Sequence, residues 1–356
     1  MLEFDQLTKN HYILSSKSKI KYFTKLDLLS STESYKDLLL VAQEGYWNTL
    51  NWEIEPTESF SDLLYERCRQ LRNKYGWLVL YYSGGSDSET VLQSFINAKV
   101  HLDEVVLNVF KINDNDPPLK DVELAINKLK KYSLQLPKTK ITINNLSREV
   151  FLNFNKKQLW IDSSFNGTIG NFRRMTLSVL RELGQKVELP NTSIGHIFAD
   201  IKPHLRKEED GYYAVWGINI GVAQWSEWFF TSLDLPELHI KQCHLVKKYF
   251  KEHNPTENII IEVGKVRDQI INACRYTFDN SFQPPKTTGL LQDYKNIDSE
   301  DGLVINHLKN YDPELYDIYT NATVKEMLSG VRNSSLLDRN SGELRKIKTE
   351  RFYLGK

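Results

Sequence analysis

From Trp77 onward the chain alternates short apolar runs with amphipathic stretches of helical period, and that alternation leaves few folds open. "WLVLYY" (77–82) and "EVVLNVF" (104–110) are continuous apolar runs, the pattern of strands covered on both faces. "TKITIN" (139–144) reads as a third strand. Between them, "SETVLQSFINAK" sets Val91, Leu92, Phe95 and Ile96 on one helical face, and "LKDVELAINKLKKY" does the same with Leu119, Val122, Ile126 and Leu129. Strands separated by helices of this length pair in parallel through crossovers. The expected fold is α/β, an open parallel sheet with helices on both faces.

Flanking stretches extend this frame. "SFSDLLYERCRQLRNKYG" predicts a helix capped by Ser59 or Ser61 and stopped by Gly76. Residues 1–60 are aromatic-rich and predict an ordered layer on the core. Downstream, "GNFRRMTLSVLRELG" predicts a helix ending at Gly184, "DGYYAVWGINI" a strand and "LPELHIKQCHLVKKYFKEH" a long helix. "TENIIIEVGKVRDQIINACRYT" predicts further helix in its second half, and "SFQPPKTTG" an exposed loop. The tail from Arg332 is polar and basic, with "RFYLG" as a small docking strand. Three units result: an N-terminal segment (1–70), an α/β domain (71–235), and a mainly helical C-terminal region with a basic tail (236–356).

Charge and cysteine content exclude some classes of function. Lys+Arg and Asp+Glu both total 46, so no whole-molecule field draws the protein to nucleic acid or anionic membrane. Cys68, Cys243 and Cys274 are far apart and form no CxxC pair, which predicts neither a disulfide framework nor a structural zinc site. The opening "MLEFDQLTKNHYILSS" lacks the pattern of a secretory signal, and no run reaches the ~18 apolar residues of a membrane span. A cytoplasmic setting is the expectation.

"YYSGGSDSET" (81–90) lies between the first strand and its helix. In an open parallel sheet that turn falls at the carboxyl edge, where ligands bind. Gly84 and Gly85 permit positive φ and let main-chain N–H groups approach an anion unhindered by Cβ. The following helix aims its positive end at the same point. Ser83, Ser86 and Ser88 add hydroxyl donors. Asp87 beside a phosphate requires a divalent cation between them, so it reads as a magnesium ligand or a group that orients the loop. The sequence is neither GxxxxGK[ST] nor GxGxxG.

"YYSGGSDSE" carries SGGxDS after a first strand, and in this it resembles the PP-loop ATP pyrophosphatases, also called adenine nucleotide alpha hydrolases. The resemblance covers about residues 75–145. It implies that Ser83, Gly84, Gly85, Ser86, Asp87 and Ser88 surround the β- and γ-phosphates of ATP, with magnesium on Asp87. It further implies cleavage between the α- and β-phosphates, releasing pyrophosphate and either AMP or an adenylylated acceptor. Asp87 and Ser88 are the expected catalytic members of the loop. Asn108 and Phe110, at the end of the second strand, are candidates for the adenosine wall, with ordinary strand core as the alternative.

Weaker candidates lie outside the motif. Arg173 and Arg174 in "IGNFRRMT" stand at a predicted helix start, where positive charge opposes the dipole unless an anion is near; a surface pair explains them as well. Lys202, before Pro203, is presented on extended backbone toward an α-phosphate or an acceptor, or belongs to an exposed loop. "WSEWFFTSLDLPELHIKQCHL" offers Trp225, Trp228, Phe229 and Phe230, followed by Lys241, Gln242 and His244. Lys241 and His244 share a helix face, and the block is an acceptor pocket or a core seam. Its combination with "IKPHL" and "GYYAVWG" resembles phage-encoded proteins described as phosphoadenosine phosphosulfate (PAPS)-reductase-like, which implies host cytoplasm. No transition-metal site is expected.

The expected activity is ATP-dependent adenylation of an unknown acceptor for nitrogen or sulfur transfer. Two alternatives stand beside it, a PAPS-reductase-like sulfonucleotide enzyme and a non-catalytic ATP-binding scaffold. The intact loop and the absence of a cysteine in "RFYLGK" count against the first alternative. A nucleic-acid acceptor is open but not favoured, resting on Lys128, Lys130, Lys131, Lys138 and Lys140 and on Arg345, Lys346, Lys348 and Arg351. A homodimer is also open.

Overall fold

The computed structural model describes residues 11–22, 37–110, 120–147, 149–150, 153, 175–199, 204–215, 226–253, 309, 313 and 351–356. The chain opens with a small antiparallel sheet of β1 (His11–Ser15), β2 (Lys21–Tyr22) and β3 (Leu38–Ala42), in the order β2-β1-β3. A 3₁₀ turn over Gln43–Thr49 then brings Trp47 into the core, where the Trp52 indole N–H donates to the Trp47 carbonyl at 2.8 Å.

Helix α1 (Phe60–Lys74) is capped by Ser59, whose hydroxyl oxygen accepts from the Asp62 amide at 3.1 Å. Phe60, Leu63, Leu64, Cys68 and Leu71 make its buried stripe. Gly76 does not stop it. The backbone already turns extended at Tyr75 (φ −125°, ψ 140°), and Gly76 is needed for space. A Cβ there would lie 2.1 Å from the Thr192 hydroxyl oxygen.

The central unit runs β4 (Trp77–Tyr81), α2 (Ser86–Asn97), β5 (Glu104–Phe110), α3 (Lys120–Tyr132), β6 (Lys140–Leu146), α4 (Leu177–Glu182), β7 (Ile194–Phe198), β8 (His204–Glu208), β9 (Gly211–Val215), β10 (Glu227–Trp228) and α5 (Pro236–His253). Five strands form one parallel sheet in the order β10-β7-β4-β5-β6. The chain leaves β4 in one direction through β5 and β6, then returns to add β7 and β10 on the other side. The order therefore reverses between β4 and β7, with β4 in the middle.

Side chains of β4 alternate between two cores. Leu78 and Leu80 join Val105, Leu107, Val109 and Ile197 beneath α1, α2, α3 and α5. Val79 and Tyr81 join Val106, Phe198 and Trp228 against Leu177 of α4. The protein is thus an α/β fold with helices on both faces of a parallel sheet. Helix α4 is shorter than the periodicity of 170–184 predicts. Among the described residues it begins after Thr176, whose hydroxyl accepts from the Val179 amide at 3.3 Å.

The C-terminal residues close onto this unit. Strand β11 (Phe352–Tyr353) pairs antiparallel with β9, which also pairs with β8. The Leu354 amide donates to the Tyr212 carbonyl at 2.8 Å, and Lys247 of α5 donates to the Leu354 carbonyl. Phe352 stacks on Trp52 at 4.5 Å between centroids. "RFYLG" is therefore a docking strand. The predicted helix after residue 254 and the "SFQPPKTTG" loop lie outside the described residues. No helix of the described residues is long and apolar enough to cross a membrane. Because Phe352 is buried against Trp52, Phe352→Ala is expected to cost about 3 kcal/mol, read as a lower urea midpoint at unchanged slope.

Candidate functional site

The turn at 82–85 leaves β4 at the carboxyl end of the sheet, beside the point where strand order reverses, and leads into α2. Crevices of open α/β sheets form at that point. Gly84 takes φ +68°, a left-handed conformation that needs glycine. It also sits directly on α3. A Cβ on Gly84 would come within 2.6 Å of the Ala125 Cβ and 2.9 Å of the Ala125 Cα.

Serine hydroxyls brace the turn from within. The Ser88 hydroxyl donates to the Gly85 carbonyl at 2.9 Å and accepts from the Ser83 amide at 3.2 Å. The Gly85 amide donates to the exposed Ser83 hydroxyl oxygen at 3.3 Å. Ser88 is buried, so in this conformation it shapes the loop from beneath. The first intrahelical bond of α2 runs from the Glu89 amide to the Gly85 carbonyl at 3.0 Å. Amides 86–88 therefore precede the helical ladder and collect at the positive end of the helix. Asp87 is half-buried at this end, and the Ser86 backbone starts the helix.

A polar cluster beneath the turn joins α2 to α3. The Lys128 ammonium donates to the Gly84 carbonyl at 3.1 Å and pairs with Glu89 at 2.9 Å. The other Glu89 oxygen accepts from the Tyr132 hydroxyl at 2.8 Å, and Gln93 donates to that hydroxyl at 2.7 Å. Lys128, read from the sequence as one of a basic run, is mostly buried here and holds the loop. Tyr82, at the start of the same turn, has its hydroxyl buried and, among the described residues, without a hydrogen-bond partner. Burial, and then the nearby Glu89 and Tyr132, push that phenol far above the ordinary tyrosine value.

On the opposite face of the sheet a second set of polar side chains fixes the 175–185 stretch. Asn108 donates to the Met175 carbonyl at 3.0 Å and accepts from Asn144 at 3.0 Å, while Gln185 donates to Asn144 at 3.0 Å. Asn108 is thus a buried brace between β5 and its neighbours. Phe110 closes the register of β5 opposite Leu146. The Leu177 amide donates to the Tyr81 hydroxyl oxygen at 2.6 Å, leaving the Tyr81 proton for His196 Nδ1 at 3.0 Å. The remaining proton of neutral His196, on Nε2 when the donors are assigned in this one direction, goes to the Ser178 hydroxyl at 2.9 Å. Burial lowers the His196 pKa from 6.5 to about 4.

Other sequence candidates fall elsewhere. Lys241 pairs with Glu55 at 2.6 Å and donates to the Pro56 carbonyl at 2.9 Å; His244 Nε2 lies 2.9 Å from the Trp52 carbonyl. The two do share a helix face, and it holds residues 52–56. Phe229 and Phe230 belong to the main core and Trp228 to the second, the core-seam alternative. Cys68 and Cys243 are buried thiols, and burial raises Cys68 well above its ordinary value. Arg351 pairs with Glu208 and lies over the Tyr213 ring. Arg173, Arg174, Lys202 and Trp225 lie outside the described residues.

Sequence reasoning missed Glu89, Lys128, Tyr132 and Ala125 as partners of the loop. One signal was available for Ala125, a small residue inside the otherwise bulky apolar stripe of α3. Glu89 and Lys128 meet only through the fold. No family model matches the chain, and no curated protein matches it in sequence.

Two outcomes are expected. Gly84→Ala combines a left-handed alanine with a clash on α3, costing about 2–4 kcal/mol in thermal or urea unfolding. His196 has its folded pKa below the unfolded one, so its contribution is complete above pH 6.5 and is lost as pH falls toward 4. Between pH 7 and about 4.5, wild type should lose about 2 kcal/mol more stability than His196→Asn, measured by denaturant unfolding at each pH.

Proposed function

We propose that the chain is an ATP-dependent adenylating enzyme of the PP-loop type, with the adenine nucleotide alpha hydrolase arrangement of its sheet. One observation carries the reading. A Gly–Gly turn bearing SGGxDS stands at the carboxyl end of the central strand, beside the reversal of strand order, with a helix N-terminus behind it. The main-chain amides of 85–88 and the hydroxyls of Ser83 and Ser86 would hold the β- and γ-phosphates of ATP.

The donor set suits magnesium. Among the described residues no group of three or more His, Cys, Asp or Glu side chains could cage a metal. Magnesium is bound through one or two carboxylates plus substrate phosphates, and Asp87 supplies such a carboxylate. When bound, the ion supplies positive charge between that carboxylate and the phosphate oxygens. An acceptor oxygen then attacks the α-phosphorus, the bond to the bridging oxygen breaks, and pyrophosphate leaves. A nitrogen or sulfur nucleophile afterwards displaces AMP from the acceptor. The loop's part is to position and to stabilise charge on the departing pyrophosphate.

Arg174 and Lys202 are proposed to serve the α-phosphate or the acceptor. Lys241 takes no part, since its ammonium is held by Glu55 and Pro56. The enzyme would act in the cytoplasm.

The test is incubation with ATP and magnesium across oxygen, nitrogen and sulfur acceptors, assaying AMP and pyrophosphate. Release of both in equal amounts, lowered about 100-fold or more in Asp87→Ala, is the expected result. Tight ATP binding with no cleavage under any acceptor marks a scaffold instead. Failure of labelled ATP to bind with magnesium overturns both.

A further inference from the structure

The carbonyl of Gly84 accepts a hydrogen bond from the charged side chain of Lys128, three elements further along the chain on α3. In a trans peptide the C=O of one residue and the N–H of the next point in opposite directions, and no described peptide is cis. Fixing the Gly84 carbonyl toward Lys128 on α3 therefore turns the Gly85 N–H away from α3, to the side where it meets the exposed Ser83 hydroxyl. A peptide between two glycines has no Cβ on either side to oppose rotation of its plane. Turned over, it would aim a carbonyl oxygen into the cradle and repel an anion.

We infer that Lys128 is a positioning residue, selecting the amide-outward state of the Gly84–Gly85 peptide and so setting the loop's affinity for pyrophosphate. This rests on the proposed function for its ligand, but the peptide orientation stands without it. Lys128 is itself positioned. Glu89 holds the ammonium, Tyr132 holds Glu89, and Gln93 holds Tyr132, all below the loop and mostly out of water. Ala125, one turn before Lys128 on the same face, supplies the surface on which Gly84 rests. The floor of α3 thus gives steric support at one residue and a charged donor three residues on. A role limited to neutralising buried Glu89 predicts that removing both charges together restores normal behaviour; the positioning role predicts that it does not.

The experiment uses Lys128→Met with Glu89→Gln, which leaves no uncompensated carboxylate, against wild type and Glu89→Gln alone. Inorganic pyrophosphate with magnesium is titrated by calorimetry, and amide exchange at Ser83 and Gly85 is measured in the ligand-free proteins by NMR. With a thermal midpoint near wild type, the double variant is expected to bind pyrophosphate about tenfold or more weakly and to exchange these amides about tenfold faster. Glu89→Gln alone keeps both properties within about threefold of wild type, because Lys128 still reaches Gly84. A double variant that exchanges and binds like wild type overturns the inference. Wild type that fails to bind pyrophosphate overturns the proposed function alone, and the exchange comparison then decides the role of Lys128. If the double variant does not fold, Lys128→Arg and Lys128→Gln give the same comparison. The arginine, long enough to donate to Gly84, should keep the amides slow and the shorter glutamine should not; equal exchange in the two overturns the inference.

Discussion

Leu78 and Leu80 point into one core while Val79 and Tyr81 point into the other, so water reaches neither side of β4. A strand so enclosed must have its main chain paired on both edges, and β5 and β7 do this in parallel. Parallel neighbours require long crossovers, which carry helices onto the faces. The turn that follows β4 is in consequence placed where chain paths diverge left and right. Its surroundings are set by α2 and α3, which pack beneath that turn because their apolar stripes are needed to cover Leu80 and Leu107.

The two faces are held differently. Beneath α1, α2, α3 and α5 the packing is mainly apolar, with Arg67, Ser94 and His239 buried among it besides the cluster under the turn. On the other face, the chain returning to β7 is held by directed polar contacts: Asn108 to Met175, Tyr81 to Leu177, and His196 to Ser178. Such contacts fix register more tightly than they add stability, since each replaces bonds to water. Arg67 plays a related part at the sheet's far edge. Fully buried, it reaches Glu227, Asp234 and the Trp228 carbonyl and so ties α1 to the two-residue strand β10. Lys74 and the Tyr75 hydroxyl complete that pairing on Glu227. A strand this short could not hold its place through main-chain bonds alone.

Much of this was legible in the sequence where one residue type suffices. "WLVLYY" and "EVVLNVF" could only be strands with both faces covered, and the glycines between β4 and α2 announced a turn needing positive φ. The long helix α5 was equally plain, and the cap of α1 was narrowed to Ser59 or Ser61, of which the structure uses Ser59. Features that need two distant segments were not. "IGHIF" (194–198) carries a glycine and a histidine, and it becomes a strand because Tyr75 and Leu78 leave room for no Cβ at Gly195 and because Tyr81 and Ser178 take both imidazole nitrogens. Gly76 looked like a helix stop, whereas its reason is Thr192, more than a hundred positions later. Lys128 looked like one of several surface lysines until the fold set Glu89 and the Gly84 carbonyl beside it.

Phe352, stacked on Trp52 and hydrogen-bonded through its strand to β9, has a consequence for how such a chain comes into being. A protein emerging from the ribosome makes its contacts in order of synthesis, and long-range closures wait for the later partner. The five-stranded parallel sheet can assemble once residue 228 has emerged, yet Trp52 lacks its stacking partner until Phe352 of β11 has been made. During that interval the ring of Trp52 is without the cover that Phe352 provides, and the arrival of β11 supplies it.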